Sequence, residues 1–170
     1  MTSHYDTIRQ YDKMLDNLAK WLDKAEEYAR TKKFDVDLLA GARLAPDAFS
    51  LAQQVQAACD QAKFAAAYLG GRKAPPHPDT EKTVAELRTR IQSCKAFLAT
   101  VEEKDFAGSE DRKVAPPWLP KGWFRGEDYL SGLSIPNFYF HVTMAYAILR
   151  HNGVDLGKMD FIGGLEIQEG

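Results

Sequence analysis

The sequence predicts an all-α protein: a four-helix bundle, forming one domain over residues 1–170, with a short β-hairpin between the third and fourth helices. Three observations predict it. Apolar residues recur at steps of three and four through four long stretches, the spacing that keeps one stripe of a helix facing a core. Glycine and proline fall between those stretches or in a first turn. With 45% hydrophobic and 27% charged residues, a chain of 170 can bury a self-sufficient core.

The first helix is predicted over residues 4–31. Ile8, Tyr11, Leu15, Leu18, Leu22, Ala25 and Ala29 form its inward stripe, and Asp12, Asp16, Lys20, Asp23, Lys24 and Glu27 its outer face. In the connector that follows, Asp35 caps one short turn, and Gly41 and Pro46 prevent a longer helix. Asp47 is the expected N-cap of a second helix over residues 48–69, which Gly70 and Gly71 end. Its inward residues are Leu51, Val55, Ala58, Cys59, Ala62, Ala66 and Leu69.

A proline-rich link then leads to a third helix capped by Thr80 or Thr83, since Thr83 and Glu86 have capping-box spacing. Val84, Leu87, Ile91, Cys94, Leu98 and Val101 carry its stripe to about Glu102. The next stretch, to Ser134, is irregular. Within it Leu119-Pro120-Lys121-Gly122 suits a type I turn between Trp118 and Trp123-Phe124, which gives the hairpin. Pro116 and Pro117 confine its first strand to an edge. So long a connection is expected to cover something. The fourth helix is expected to begin at Ser134, with Pro136 in its first turn and Gly153 at its close. The tail from Val154 has no helical period.

Composition excludes several functions. A net charge of −2 supplies no field for holding nucleic acid. No apolar run nears the roughly 20 residues of a membrane span, and the N-terminus lacks the pattern of a secretory signal. Cys59 and Cys94 lie on apolar stripes, as core residues do. A cytoplasmic location is expected. There is no phosphate loop, GxSxG, HExxH, CxxC or ExxH motif.

Four histidines remain for a metal site. His4 and His77 are expected to face solvent, and His151 to satisfy the carbonyls that end the fourth helix. His141 differs, because it sits mid-helix, four residues after Asn137 and so on the same face. An inward histidine needs a partner. A metal, a ligand, Asn137 or a residue of the second helix would each serve. Gln54, Tyr139 and Tyr146 are further polar candidates at that level, and Trp118 and Trp123 would form either a lid or a cap on the core.

The run LSIPNFYFHVTMAYAILRHNGVDLGK, with RLAPDAFSLAQQVQAACDQAKFAAAYLGG and GSEDR before GEDYL, resembles the DinB-like (YfiT-like) superfamily of four-helix-bundle metalloenzymes. Within it, nearly the full length resembles a bacterial family of unknown function. The resemblance implies a divalent metal held by one histidine of the second helix and two, four residues apart, on the fourth. Here His141 takes the later position, Asn137 stands at the earlier one, and Gln61 or its neighbour Asp60 falls near the second-helix position. Carboxamides are poor ligands for zinc or nickel.

The expectation is therefore a small-ligand-binding or accessory protein whose old metal pocket, at Gln61, Asn137 and His141, is a polar cavity. No cofactor is assigned, beyond a divalent metal held weakly by Asp60, Asn137 and His141. The alternative is a metal-dependent, thiol-using transferase or hydrolase. A homodimer is expected with either.

Overall fold

In the computed structural model, which describes residues 3–168, three of the four long helices start with reciprocal capping. Each has a Ser or Thr side chain accepting the N–H three residues on, and a side chain returning the bond. For α1 (His4–Lys32) the pair is Ser3 and Asp6; for α2 (Leu51–Gly70), Ser50 and Gln53; for α3 (Val84–Leu98), Thr83 and Glu86. Helix two thus starts at Ser50, not at the expected Asp47. Residues 45–48 are held in a turn by the Ala48 N–H on the Ala45 carbonyl, and the Ser50–Gln53 box satisfies two orphan donors together. Asp35 caps a short 3-10 helix (Val36–Gly41), as expected.

The inward stripes read from the sequence are buried on all three helices and merge into one core. Small residues on α2, among them Ala58, Ala62, Ala65 and Ala66, let its neighbours approach closely. Helix three ends at Leu98, short of the expected Glu102. The Thr100 N–H and hydroxyl both turn back to the Phe97 carbonyl, and Glu102 opens a new 3-10 turn (Glu103–Phe106).

The hairpin forms further from its tip than the tryptophans suggested. β1 (Lys113–Val114) pairs antiparallel with β2 (Phe124–Arg125), Lys113 opposite Arg125. Prolines at 116 and 117 stop the first strand. The tip turn is at the predicted place, closed by the Gly122 N–H on the Leu119 carbonyl at 3.2 Å.

The fourth helix starts two turns before Ser134. α4 (Gly126–Tyr129) runs through a π-helical turn (Leu130–Ser134) into α5 (Ile135–His151). Pro136 would strain a regular helix by clashing with the carbonyl four residues back. The widened turn, in which the Ile135 N–H donates to the Leu130 carbonyl, lets the helix continue across it. Gly126 begins the element because a side chain there would collide with the Ser109 carbonyl oxygen. Gly153, at φ +95°, ends it in the left-handed region.

Two polar ties were not anticipated. His4, expected in solvent, is only 5% exposed. Its Nε2 lies 2.9 Å from Glu127 Oε2 and its Nδ1 2.8 Å from Ser109 Oγ, which fastens the first turn of α1 to α4 and the loop before β1. The tail holds a short helix, α6 (Lys158–Ile162), too brief to show a period. Trp21 Nε1–H and Asn17 Nδ2–H donate to the Asp160 and Phe161 carbonyls, both at 3.0 Å, and seat it on α1. No helix among the described residues is long and apolar enough to cross a membrane.

Candidate functional site

α2 and α5 make the most extensive helix pairing of the described residues, and polar side chains run along their seam. Gln54 and Gln61 lie two turns apart on one face of α2, and Asn137 and His141 one turn apart on α5. Gln54 is buried, and its Oε1 is 2.7 Å from His141 Nδ1. Its Nε2 is directed at the Phe49 carbonyl, 3.5 Å away, which leaves Oε1 to accept. His141 therefore carries its proton on Nδ1 and presents a lone pair on Nε2. Burial lowers its pKa, so the ring is neutral at neutral pH. Phe49 stacks on the imidazole at 6.1 Å and Phe140 meets it edge-on at 5.3 Å.

Further along the seam, Gln61 and Asn137 face one cavity of about 300 Å³. Phe64, Tyr68, Tyr129, Leu133, Pro117 and Trp118 complete its wall. Neither carboxamide has a hydrogen-bond partner among the described residues. Tyr129, Leu133 and Asn137 succeed one another at steps of four, which in an unbroken α-helix would drift around the axis. The wide turn at Leu130–Ser134 offsets that drift and keeps all three on the cavity. The long connection before α4 contributes Pro117 and Trp118. Trp123 lies instead against the Lys113 ammonium, 5.5 Å from it.

Asp60 faces away from this seam. Its Oδ1 accepts from Arg90 at 2.6 Å and from Lys63 at 2.7 Å, and it lines a separate cleft of about 530 Å³ with Gln56, Asp79 and Glu81. Arg90, with a wholly buried side chain, also reaches Asp79 at 2.8 Å and Glu81 at 3.2 Å. Lys63 donates to His77 Nδ1 at 3.2 Å, and His77 Nε2 lies 2.9 Å from Ser93 Oγ. His77 is thus half-buried in a network that ties the proline-rich link to α2 and α3, not free in solvent as expected. Burial, then the nearby Arg90 and Lys63, hold its pKa below the usual value.

The network was legible in one respect only: Lys63 and Arg90 interrupt apolar stripes, with Asp60 one turn from Lys63. Gln54 was singled out by level, without its partner. The structure brings Gln61 to Asn137 and leaves Asp60 on the other side of α2. Cys59 and Cys94 are buried free thiols, and the Cys59 thiol is pushed up by its hydrogen bond to Cys94 and by burial. That fits packing rather than chemistry.

The residues do not fit a tight divalent metal centre of the implied kind. One imidazole nitrogen is open, two of the three expected histidine positions are carboxamides, and Asp60 is committed to two cations. Among the described residues no three His, Cys, Asp or Glu side chains are placed to hold a metal together.

A family described as a domain of unknown function, DUF1993, matches residues 4–162. Among solved structures the chain is similar to a DinB family member protein from Shewanella denitrificans, a crystal structure at 1.83 Å resolution. The TM-score is 0.94 and the identity 44%, over 98% of this chain and 95% of that one. No curated protein matches. With nearly the whole bundle accounted for by both comparisons, the chain belongs to the DUF1993 family and has the fold of a DinB-like helical bundle.

Proposed function

We propose that this protein binds a small organic ligand in the cavity between α2 and α5, as a binding or accessory protein and as one domain with one core. The observation that carries this is the pair of unpartnered carboxamides, Gln61 and Asn137, turned toward one aromatic-walled cavity. Both side chains are partly buried, and two carboxamides that converge on one concave, aromatic-walled space without protein partners are placed to hydrogen-bond a ligand there. His141, one turn from Asn137 on α5 but not on the cavity wall, is a neutral ring with an open Nε2. A fragment library screened by ligand-observed NMR, repeated with Gln61→Leu and Asn137→Leu, tests the proposal. Hits that lose affinity in both variants support it, and a library without hits removes it.

A metal-dependent, thiol-using transferase or hydrolase is the second reading. Its support is the His141 tautomer, because a ring that donates from Nδ1 to a neighbouring side chain and leaves Nε2 free is oriented as metal-bound histidines are.

Two further features belong to the proposal. The buried free thiols suit the reducing cytoplasm. A homodimer is supported by the exposed Phe49 and Phe140 beside His141, and by the absence of any Asp, Glu, Lys or Arg over residues 135–149. A face without charge does not repel its own copy across a two-fold axis.

A further inference from the structure

Among the described residues, the cavity wall at Gln61 and Asn137 contains no Asp, Glu, Lys, Arg or His side chain. Its polar side-chain groups are the two carboxamides, the two phenols and the indole N–H of Trp118. Burial raises both phenols, Tyr129 strongly, so they keep their protons. Behind the wall stands one ammonium, that of Lys63, 4.7 Å from the centroid of the Phe64 ring and paired with Asp60. A ring of the kind an organic cation would seek is thus already in contact with a cation. An ion of either sign entering here would give up part of its hydration and meet no counter-charge on the wall, which disfavours it against a neutral molecule of the same shape.

Size and shape narrow the occupant further. About 300 Å³ is at the small end of ligand cavities, with room for one or two rings. The Phe64 and Tyr68 rings are nearly parallel, 12° apart, and Tyr129 stands edge-on to Tyr68 at 80°. Such walls offer flat faces and edges for another flat molecule to pack against. A carboxamide presents a donor beside an acceptor, and it pairs at two points with a molecular edge that carries the same two groups.

We propose that the cavity selects an uncharged, flat molecule of one or two rings with a hydrogen-bond donor beside an acceptor: an aromatic carboxamide, a lactam or an amino-heterocycle. This rests on the ligand-binding proposal above. Gln61 on α2 and Asn137 on α5 read the donor–acceptor edge, while Phe64, Tyr68 and Trp118 contact the ring. Asn137 sets the preference for a neutral group, since it is the one side chain of α5 on the wall that can hydrogen-bond the ligand.

Benzamide, benzoate and benzamidine have nearly one shape and differ in charge, and they separate the outcomes. Each is titrated into the full chain, with binding read by saturation-transfer NMR and by tryptophan emission. Benzamide is expected to bind at least about tenfold more tightly than either ion. Asn137→Asp should reverse the order, benzamidine gaining and benzamide losing at least about tenfold. Circular dichroism checks that the variant folds. If it does not fold, Asn137→Leu and Gln61→Leu take its place, and each should weaken benzamide about tenfold. A native preference for benzoate or benzamidine overturns the neutral class and leaves the cavity a binding site. Benzamide binding untouched by both leucine variants overturns the site. Failure of all three probes, with no hit in the fragment library, removes the ligand-binding proposal itself.

Discussion

Gln54 Oε1 and His141 Nδ1, 2.7 Å apart, join α2 to α5 through a neutral imidazole. The bond fixes the proton on Nδ1, and burial holds the ring's pKa below its ordinary value of about 6.5. His77, beside Lys63 and Arg90, is shifted the same way.

Acid should therefore destabilise the bundle. A histidine with a lowered folded-state pKa is protonated more readily in the unfolded chain. Its contribution is complete above about pH 6.5 and is lost as the pH falls through that value toward the folded one. Urea or thermal melts between pH 8 and pH 5 should show stability falling with acid. The slope should flatten in the His77→Gln, His141→Gln double variant; an unchanged slope would refute the assignment.

Arg90 holds carboxylates from α2 and from the proline-rich link around one buried guanidinium. Arg90→Met should destabilise by about 3 kcal/mol, at the lower end for a broken buried pair because Asp60 and Asp79 are partly solvated. Proteolysis of the link should be faster in the variant than in the native protein. Equal stability of the two proteins in urea would contradict this.

Two glycines six residues apart, Gly126 and Gly132, make a controlled comparison. Gly126→Ala drives a methyl group into the Ser109 carbonyl and should lower stability by at least about 2 kcal/mol. Gly132→Ala meets nothing within 4 Å and should be neutral or stabilising by about 0.5 kcal/mol. Chemical denaturation of both variants decides it.

Metal content separates the two functional readings. Protein purified without a histidine tag should carry well under one equivalent of zinc, nickel or manganese by elemental analysis. A full equivalent, absent from His141→Ala, would favour the metal-dependent reading instead.

Self-association is tested most directly at the charge-free face. The native chain should sediment as a dimer, and Phe49→Glu with Phe140→Glu as a monomer of unchanged helicity. A native monomer at high concentration would exclude the dimer.

The stripes of α1, α2 and α3 were legible because a buried helix face repeats at a fixed interval, and each residue assigned to them is buried. The starts of helices two and four were not, for local reasons. Ser50 outcompetes Asp47 through a reciprocal bond to Gln53, and Pro136 is accommodated by a wide turn that leaves no mark in the apolar pattern. Asn137 and Gln61 could be named from the resemblance, but their shared cavity depends on Tyr129 and Trp118, which reach it from a segment without periodicity. His4, Lys63 and Arg90 escaped because a polar residue's burial is decided by partners far away in the chain.

The wide turn at Leu130–Ser134 behaves as one residue inserted into an otherwise regular helix. The facing of everything downstream, Asn137 and His141 included, is set by a count of residues as much as by their kinds. Removing a single residue between Tyr129 and Ile135 would take out the extra residue, bring Pro136 against the preceding turn, and rotate one side of the helix by about 100° relative to the other. The cavity would lose either Tyr129 or Asn137 with every side chain chemically intact. The number of residues in that short segment, as well as their identity, therefore decides which side chains of the helix face the cavity.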